Sequence, residues 1–322
     1  MLHLFLFTTL AAQAAEFPES VITNGAITAK LYLPDPARGY YRGTRFDWSG
    51  QISSLKTAKH EYFGQWFPKY DPKIHDSIMG PVEEFRTGNA GLGFDEAPAG
   101  GSFVRIGVGV VRRPDDKPYE MAKTLDILDH GKSRVHKGRD RVTFTHELTG
   151  PNGYAYRYTK SIRLAKGAPV MVIDHALRNT GRKIIQTSQY NHNFFVMDGQ
   201  PTGPATVTRV PFDIKAVRPF TDDLAKVSGR EFTYTAELQT GQRIFGEFNG
   251  FGPTAADYDF RLENRKAGAG VHITGDVPIA RLMYWSIRTV FSPEAYIDLT
   301  IQPGAEKHWK YTYEFYDLPA AK

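Results

Sequence analysis

Arg141-Val142-Thr143-Phe144-Thr145-His146-Glu147-Leu148, turned by Asn152-Gly153 into Tyr154-Ala155-Tyr156-Arg157-Tyr158, is the stretch on which the fold reading turns. Val142, Phe144, His146 and Leu148 alternate with Arg141, Thr143, Thr145 and Glu147, the period of a half-buried strand. After the turn, Tyr154, Tyr156, Tyr158, Ile162 and Leu164 share the next face, so the two runs form a hairpin. The same grammar extends in both directions. Pro169 to Leu177 is a strand ended by Asn179-Thr180-Gly181, and Lys183 to Val196 is extended again. Near the end, Ile297, Leu299 and Ile301 precede Pro303-Gly304, and Trp309, Tyr311, Tyr313 and Phe315 then alternate with polar residues. Further runs lie at Thr28–Leu33, Tyr40–Trp48, Phe103–Arg112, Arg230–Glu237, Arg243–Phe248, Tyr258–Glu263 and Arg281–Val290. The best helical candidate is the short Asp222–Val227. Many short strands separated by turn signals predict an all-β chain, a large antiparallel β-sandwich formed as a single domain over 16–322. The absence of a fixed-period repeat argues against a propeller. Gly88–Gly101 reads as a long loop, a common place for function.

Composition narrows the function. In 322 residues, Lys+Arg 40 against Asp+Glu 35 leaves a net charge of +5, too small and too dispersed for a nucleic-acid stripe. Arg112-Arg113-Pro114-Asp115-Asp116-Lys117 shows how the signs mix, so no nucleic-acid partner is expected. With no Cys, the chain has no disulfide, thiolate metal site or cysteine nucleophile. Residues 1–15 are an apolar run ending in Ala12-Gln13-Ala14-Ala15, short of the roughly 20 residues a bilayer span needs. We read them as a signal peptide and expect a periplasmic or secreted protein with no membrane span.

Chemistry has to come from scattered His and carboxylates. There is no His-Glu-x-x-His, phosphate loop or Gly-x-Ser-x-Gly elbow, and no cofactor or metal is called for. In Tyr190-Asn191-His192-Asn193-Phe194-Phe195, polar side chains suited to sugar hydroxyls sit beside aromatics suited to a pyranose face. His192 is a general acid or base by type, or else a buried histidine satisfied by backbone. In Ser292-Pro293-Glu294-Ala295-Tyr296, Glu294 is either a partly desolvated carboxyl with a raised pKa or a solvated loop acid. His75-Asp76-Ser77-Ile78-Met79-Gly80-Pro81-Val82-Glu83-Glu84 gathers one histidine and three carboxylates round a turn. Glu83 and Glu84 point to opposite faces of a strand, so only one of them lines a given site. From this stretch we assign Glu83 and His75 to substrate binding. His175, among Met171, Ile173 and Leu177, reads as a core histidine.

Taken in order, these segments resemble the galactose mutarotase-like superfamily, which includes aldose 1-epimerases. The likeness runs from Tyr40–Trp48 through Gly80-Pro81-Val82-Glu83-Glu84-Phe85 and Asp174–Gly181 to Asn191-His192-Asn193-Phe194-Phe195. It closes at Ile301-Gln302-Pro303-Gly304-Ala305-Glu306. It implies a β-supersandwich with a sugar-sized groove and a carbohydrate ligand, small or oligomeric. The implied chemistry is anomer interconversion: a glutamate takes the C1 hydroxyl proton while a histidine protonates the ring oxygen. By its Asn-His context His192 matches the acid, with Asn191 beside it on the substrate. Glu294, shortly before Pro303-Gly304, matches the base, although its Ser-Pro-Glu context differs from that of the best-known epimerases. The second family histidine has no counterpart, and Arg105 or His75 stands in for it. The same fold hosts polysaccharide lyases, for which Arg105 and Arg288 are candidate uronate ligands, and binding proteins without catalysis.

Overall fold

The computed structural model describes residues 17–217 and 223–319, so the signal peptide expected at 1–15 lies outside the described residues. Two large antiparallel sheets dominate. Among the described residues the larger has ten strands, running from one edge to the other as Ala225–Ser228, Glu231–Tyr234, Thr206–Arg209, Asp259–Asn264 and Ala269–Gly275, then Glu306–Asp317, Val170–Asn179, Ala155–Leu164, Arg141–Thr149 and Lys132–Lys137. The Arg141–Leu164 hairpin forms as expected, with Tyr156 opposite Leu148 and Tyr158 opposite His146. The second sheet has six strands: Lys215–Ala216, Arg243–Asn249, Arg281–Ile287, Val290–Ile301, Ile185–His192 and Val82–Arg86. Two three-stranded sheets, Glu19–Thr23 with Thr28–Tyr32 and Gln51–Lys56, and Ser102–Arg105 with Gly109–Arg112 and Ile127–Asp129, complete the all-β sandwich.

The two large sheets bury their facing sides against each other, which is where period-two sequences put their apolar residues. Phe85 of the six-stranded sheet meets Tyr158 and Trp309 of the other at 5.2 and 6.2 Å between ring centroids. Polar residues also cross the interface: Tyr311 donates to Gln189 Oε1 (2.6 Å) and Tyr313 to Asn193 Oδ1 (2.9 Å).

Two expectations fail locally. Tyr40–Trp48 forms no strand. Its aromatics pack on both sides of an irregular segment that is tied by single hydrogen bonds, Asp47 N to Glu83 O (2.9 Å) and Trp48 N to Gly107 O (3.2 Å). Alternation here reflects a chain buried on two sides, not a ladder. Of the expected helix at Asp222–Val227, residue 222 lies outside the described residues, and Ala225–Ser228 is an edge strand paired with Glu231–Tyr234. Six residues cannot offset the cost of helix nucleation, whereas an open sheet edge supplies backbone partners at once.

Gly80 sits where the chain passes close to the end of the Ile185–His192 strand. A Cβ there would lie 2.6 Å from His192 O and 3.0 Å from Asn193 O. Gly80→Ala is therefore expected to destabilise the protein by about 1–3 kcal/mol through overpacking, read as a lower midpoint in urea.

Candidate active site

Register on the six-stranded sheet decides which side chains can meet. Tyr190 lies opposite Glu84 and His192 opposite Val82. Met283 lies opposite Glu294, and Trp285 opposite Ser292. Because partners in a ladder share a face, Glu84, Tyr190, His192, Glu294 and Trp285 all point away from the ten-stranded sheet. All of them but the fully buried Glu84 line a cleft of about 500 Å³, together with Arg45, His75 and Asp76. At its floor, His192 Nε2 is 3.1 Å from Glu294 Oε1.

The surroundings of that pair set its protonation. His192 stacks on Phe194 at 3.6 Å between ring centroids, and Phe46 and Trp285 meet its ring edge-on at 5.8 and 5.4 Å. Phe194 reaches this position from the left-handed region, with φ 44°, where a bulky residue is strained. Burial in this aromatic box, reinforced by the Arg45 charge and opposed by Asp76, holds His192 well below the usual imidazole range. Burial also pushes the Glu294 carboxyl up to about 8; Arg45 opposes the rise, while Glu84 and Asp76 add to it.

Beside the pair stands an ionic lattice. Arg45 Nε donates to Glu84 Oε2 (2.9 Å), Nη1 to Asp76 Oδ1 (2.5 Å) and Nη2 to the Tyr190 hydroxyl (3.1 Å). Tyr190 in turn donates to Glu84 Oε2 (2.5 Å). Burial disfavours the Glu84 carboxylate, yet Arg45, Arg105 and Arg86 outweigh it and the net shift is downward. Asp76, held against burial by His75 and Arg45, falls to about 2. The lattice fixes Arg45 in position 4.3 Å above the Phe46 ring.

Of the residues singled out in the sequence, His192, Glu294 and His75 reach the cleft. Four others do not. Glu83 points into the core, where it accepts from Lys160 and lies 3.0 Å from His175 Nε2; Glu84, on the opposite face of the strand, is buried against the cleft residues Arg45 and Tyr190. Asn191 also faces inward, donating to Tyr313 OH (3.1 Å) and accepting from Gln189 (2.7 Å), so it braces the strand and does not touch a ligand in the cleft. Arg105 is fully buried behind the cleft, donating to Thr44 O (3.0 Å), Arg45 O and Ala90 O. Arg288 is turned to Glu237 and Leu238 O, away from the cleft. Arg45 and Trp285 were not singled out, and Asp76 and Tyr190 stood in the quoted segments without an assigned role. Parity alone exposes one of these misassignments: if His192 faces the cleft, Tyr190 does too and Asn191 cannot.

Among the described residues no cluster of three or more His, Asp or Glu side chains is arranged to hold a metal ion. No protein-family profile and no curated protein matches the chain in sequence. Solved structures do match in fold. A Synechocystis protein is 10% identical, with a TM-score of 0.58 over 96% of this chain and 100% of its own. The GalM/aldose epimerase homologue from C. elegans is 13% identical, with a TM-score of 0.56 over 95% and 100%. Galactose 1-epimerase from Lactobacillus acidophilus NCFM is 11% identical, with a TM-score of 0.51 over 94% and 95%. The chain thus shares its overall fold with these structures and with a galactose mutarotase-like protein from Lactobacillus casei, 13% identical with a TM-score of 0.51 over 92% of this chain and 100% of its own.

Proposed function

We propose that this chain is a carbohydrate-binding, mutarotase-like protein in which His192 and Glu294 interconvert the anomers of a free sugar. The observation that carries the reading is the 3.1 Å approach of the two side chains at the floor of an open cleft. A cleft of about 500 Å³ suits a monosaccharide, and Trp285 offers an apolar face to its ring.

Proton count supports the chemistry. With Glu294 raised to about 8 and His192 well below its usual range, the pair holds one proton between them near neutrality, resting on Glu294. In the first step Glu294 gives that proton to the ring oxygen, His192 takes the proton of the C1 hydroxyl, and the C1–ring oxygen bond breaks. The aldehyde rotates about C1, and closure on the other face runs both transfers backward. The pair ends with the single proton it began with, and each group serves once as acid and once as base. The resting assignment is the reverse of the one the family resemblance implies, but both tautomers carry the same proton count.

The pH profile follows. kcat/KM for anomer exchange is expected to fall as pH rises through about 8, where Glu294 releases the shared proton. It falls again on the acid side, below the ordinary imidazole range, where His192 takes up a second proton. Polarimetry of freshly dissolved sugars across pH 4–10, on the order of one point per half unit, measures it; a flat profile rules out the pair. No acceleration above buffer for any aldose or sugar acid removes the enzymatic reading, and sugar binding without turnover would leave a binding protein. We also propose export, supported by the apolar run before Ala12-Gln13-Ala14. The intact mass of protein recovered outside the cytoplasm, lacking the leader, tests it.

A further inference from the structure

We infer, building on the mutarotase reading, that the substrate is the reducing end of an oligosaccharide, whose next sugar ring lies on Phe245 at the rim of the cleft. Phe245 is 51% exposed, and every other described Phe, Tyr and Trp side chain is buried or half-buried. A single apolar side chain on a surface needs no explanation of itself. This one lines the cleft that holds His192 and Glu294, and it continues the apolar wall that Trp285 begins.

Register fixes its place. Phe245 lies opposite Trp285 on the neighbouring strand, and Trp285 lies opposite Ser292, two residues before Glu294. Ladder partners share a face, so Phe245 points the same way as Trp285 and Glu294. The two rings serve different positions. Trp285 leans back over the proton-transfer pair, with its ring 5.4 Å from His192, 6.1 Å from Phe194 and 5.5 Å from Trp66. Phe245 stays outside that cluster. With neighbouring strands about 4.8 Å apart, it stands about 10 Å across the sheet from the strand of Glu294. A pyranose over the pair covers Trp285 and ends short of Phe245, which lies where a second, linked ring would fall.

The flanks of Phe245 suit such a ring. Arg243 and Glu247, two residues to either side of it on the same strand, share its face. Glu247 holds Arg281 at 3.1 and 2.8 Å, while Arg243 is exposed, lines the cleft and forms no ion pair with a described residue. An apolar surface bordered by a few polar groups matches the C–H face of a pyranose and the hydroxyls at its edge. Chemistry decides which ring lies where. Anomer exchange needs a free C1 hydroxyl, so the ring over His192 and Glu294 is the reducing end. The next ring is joined through an oxygen on another carbon. That glycosidic bond is neither made nor broken while the C1–ring oxygen bond opens and closes.

The test compares reducing disaccharides with monosaccharides by polarimetry, each disaccharide set against the free sugar of its own reducing end. The panel covers linkage to each hydroxyl of that ring other than the anomeric one, and calorimetry on Glu294→Gln reads binding apart from turnover. We expect kcat/KM for at least one disaccharide to exceed that of its free sugar by about fivefold or more, chiefly through KM, because an aromatic stack holds ground state and transition state alike. Phe245→Ala should erase most of that ratio and Phe245→Trp should restore it; at an exposed position neither disturbs the core. No disaccharide better than its free sugar, or a ratio unmoved by Phe245→Ala, overturns the oligosaccharide inference and leaves the mutarotase reading standing. Disaccharide binding that Phe245→Ala weakens, with no turnover of any sugar by the unsubstituted protein, supports the inference and removes the enzymatic reading. A dimer in sedimentation that Phe245→Ala dissociates, with the ratio unmoved, overturns the inference in favour of self-association.

Discussion

Glu294→Gln is expected to lower kcat for anomer exchange by about 10²–10⁴-fold, with sugar binding little changed. Gln keeps the shape and a polar contact to His192 but can neither give nor take the proton that the pair shares. His192→Asn should cost about as much, and the double substitution hardly more than either, because the two groups act as one unit. The stability of Glu294→Gln separates lost chemistry from lost structure. In the folded protein Glu294 titrates at about 8, above the ordinary glutamate range, because burial disfavours its charge. The folded state therefore holds a proton that the unfolded chain has released, and this group's contribution to stability declines as pH rises from about 4 to 8. Gln has no charge to bury. The variant should melt at or above the unsubstituted protein at pH 9, by about 2–4 °C for each kcal/mol relieved, and gain nothing at pH 4. An inactive variant that is more stable in alkali is hard to explain by misfolding. Unchanged activity would remove Glu294 from the reaction, and lower stability at pH 9 would show that its carboxylate is favoured where it lies.

How much of this was legible in the sequence depends on which physical rule applied. Strands were, because burial on one face writes itself as period two, and the Arg141–Leu164 hairpin forms as the alternation predicts. His192 and Glu294 were singled out through short motifs and the family resemblance, and the sheet brings them together although about a hundred residues separate them in the chain. Asn191 and Glu83 were misassigned for one shared reason: both are polar residues on the inward face of a strand. Polarity was read as exposure, whereas inside this sandwich it is satisfied across the sheets, Asn191 by Tyr313 and Glu83 by Lys160 and His175. Arg45 was hidden differently. It lies in the segment whose alternation mimics a strand, and its partners Glu84, Asp76 and Tyr190 come from distant parts of the chain. Local pattern carries no signal for such a lattice. A stronger hint lay in the gap on the face Tyr154, Tyr156, Tyr158, Ile162, Leu164, where the missing member is a lysine.

That lysine gives the second large effect. Lys160 is fully buried, donates to Glu83 and to Ser49 O (2.8 Å), and lies 3.8 Å from Asp47. Lys160→Met would leave two carboxyl groups in the core with no cation between them. Removing one partner of a buried ion pair costs about 3–5 kcal/mol, so the melting temperature should fall by roughly 6–20 °C. The pH dependence tests the cause. In the intact protein burial raises Asp47, with Lys160 pulling it down and Glu83 pushing it up. For Glu83 burial is outweighed by Lys160 and His175, and the net shift is downward. Glu83 thus adds stability above the ordinary carboxylate range that is lost as pH falls, while the contribution of Asp47 fades as pH rises from about 4. Without Lys160 both carboxyls are driven upward, and the folded state takes up protons to neutralise them. The deficit in melting temperature should be largest at pH 8 and smallest at pH 5. Adding Glu83→Gln to Lys160→Met should recover part of it, since one of the two uncompensated charges is then gone. A deficit equal at both pH values, or a double variant no better than the single, would mean that Lys160 acts through packing alone and that the buried charges are not what it balances.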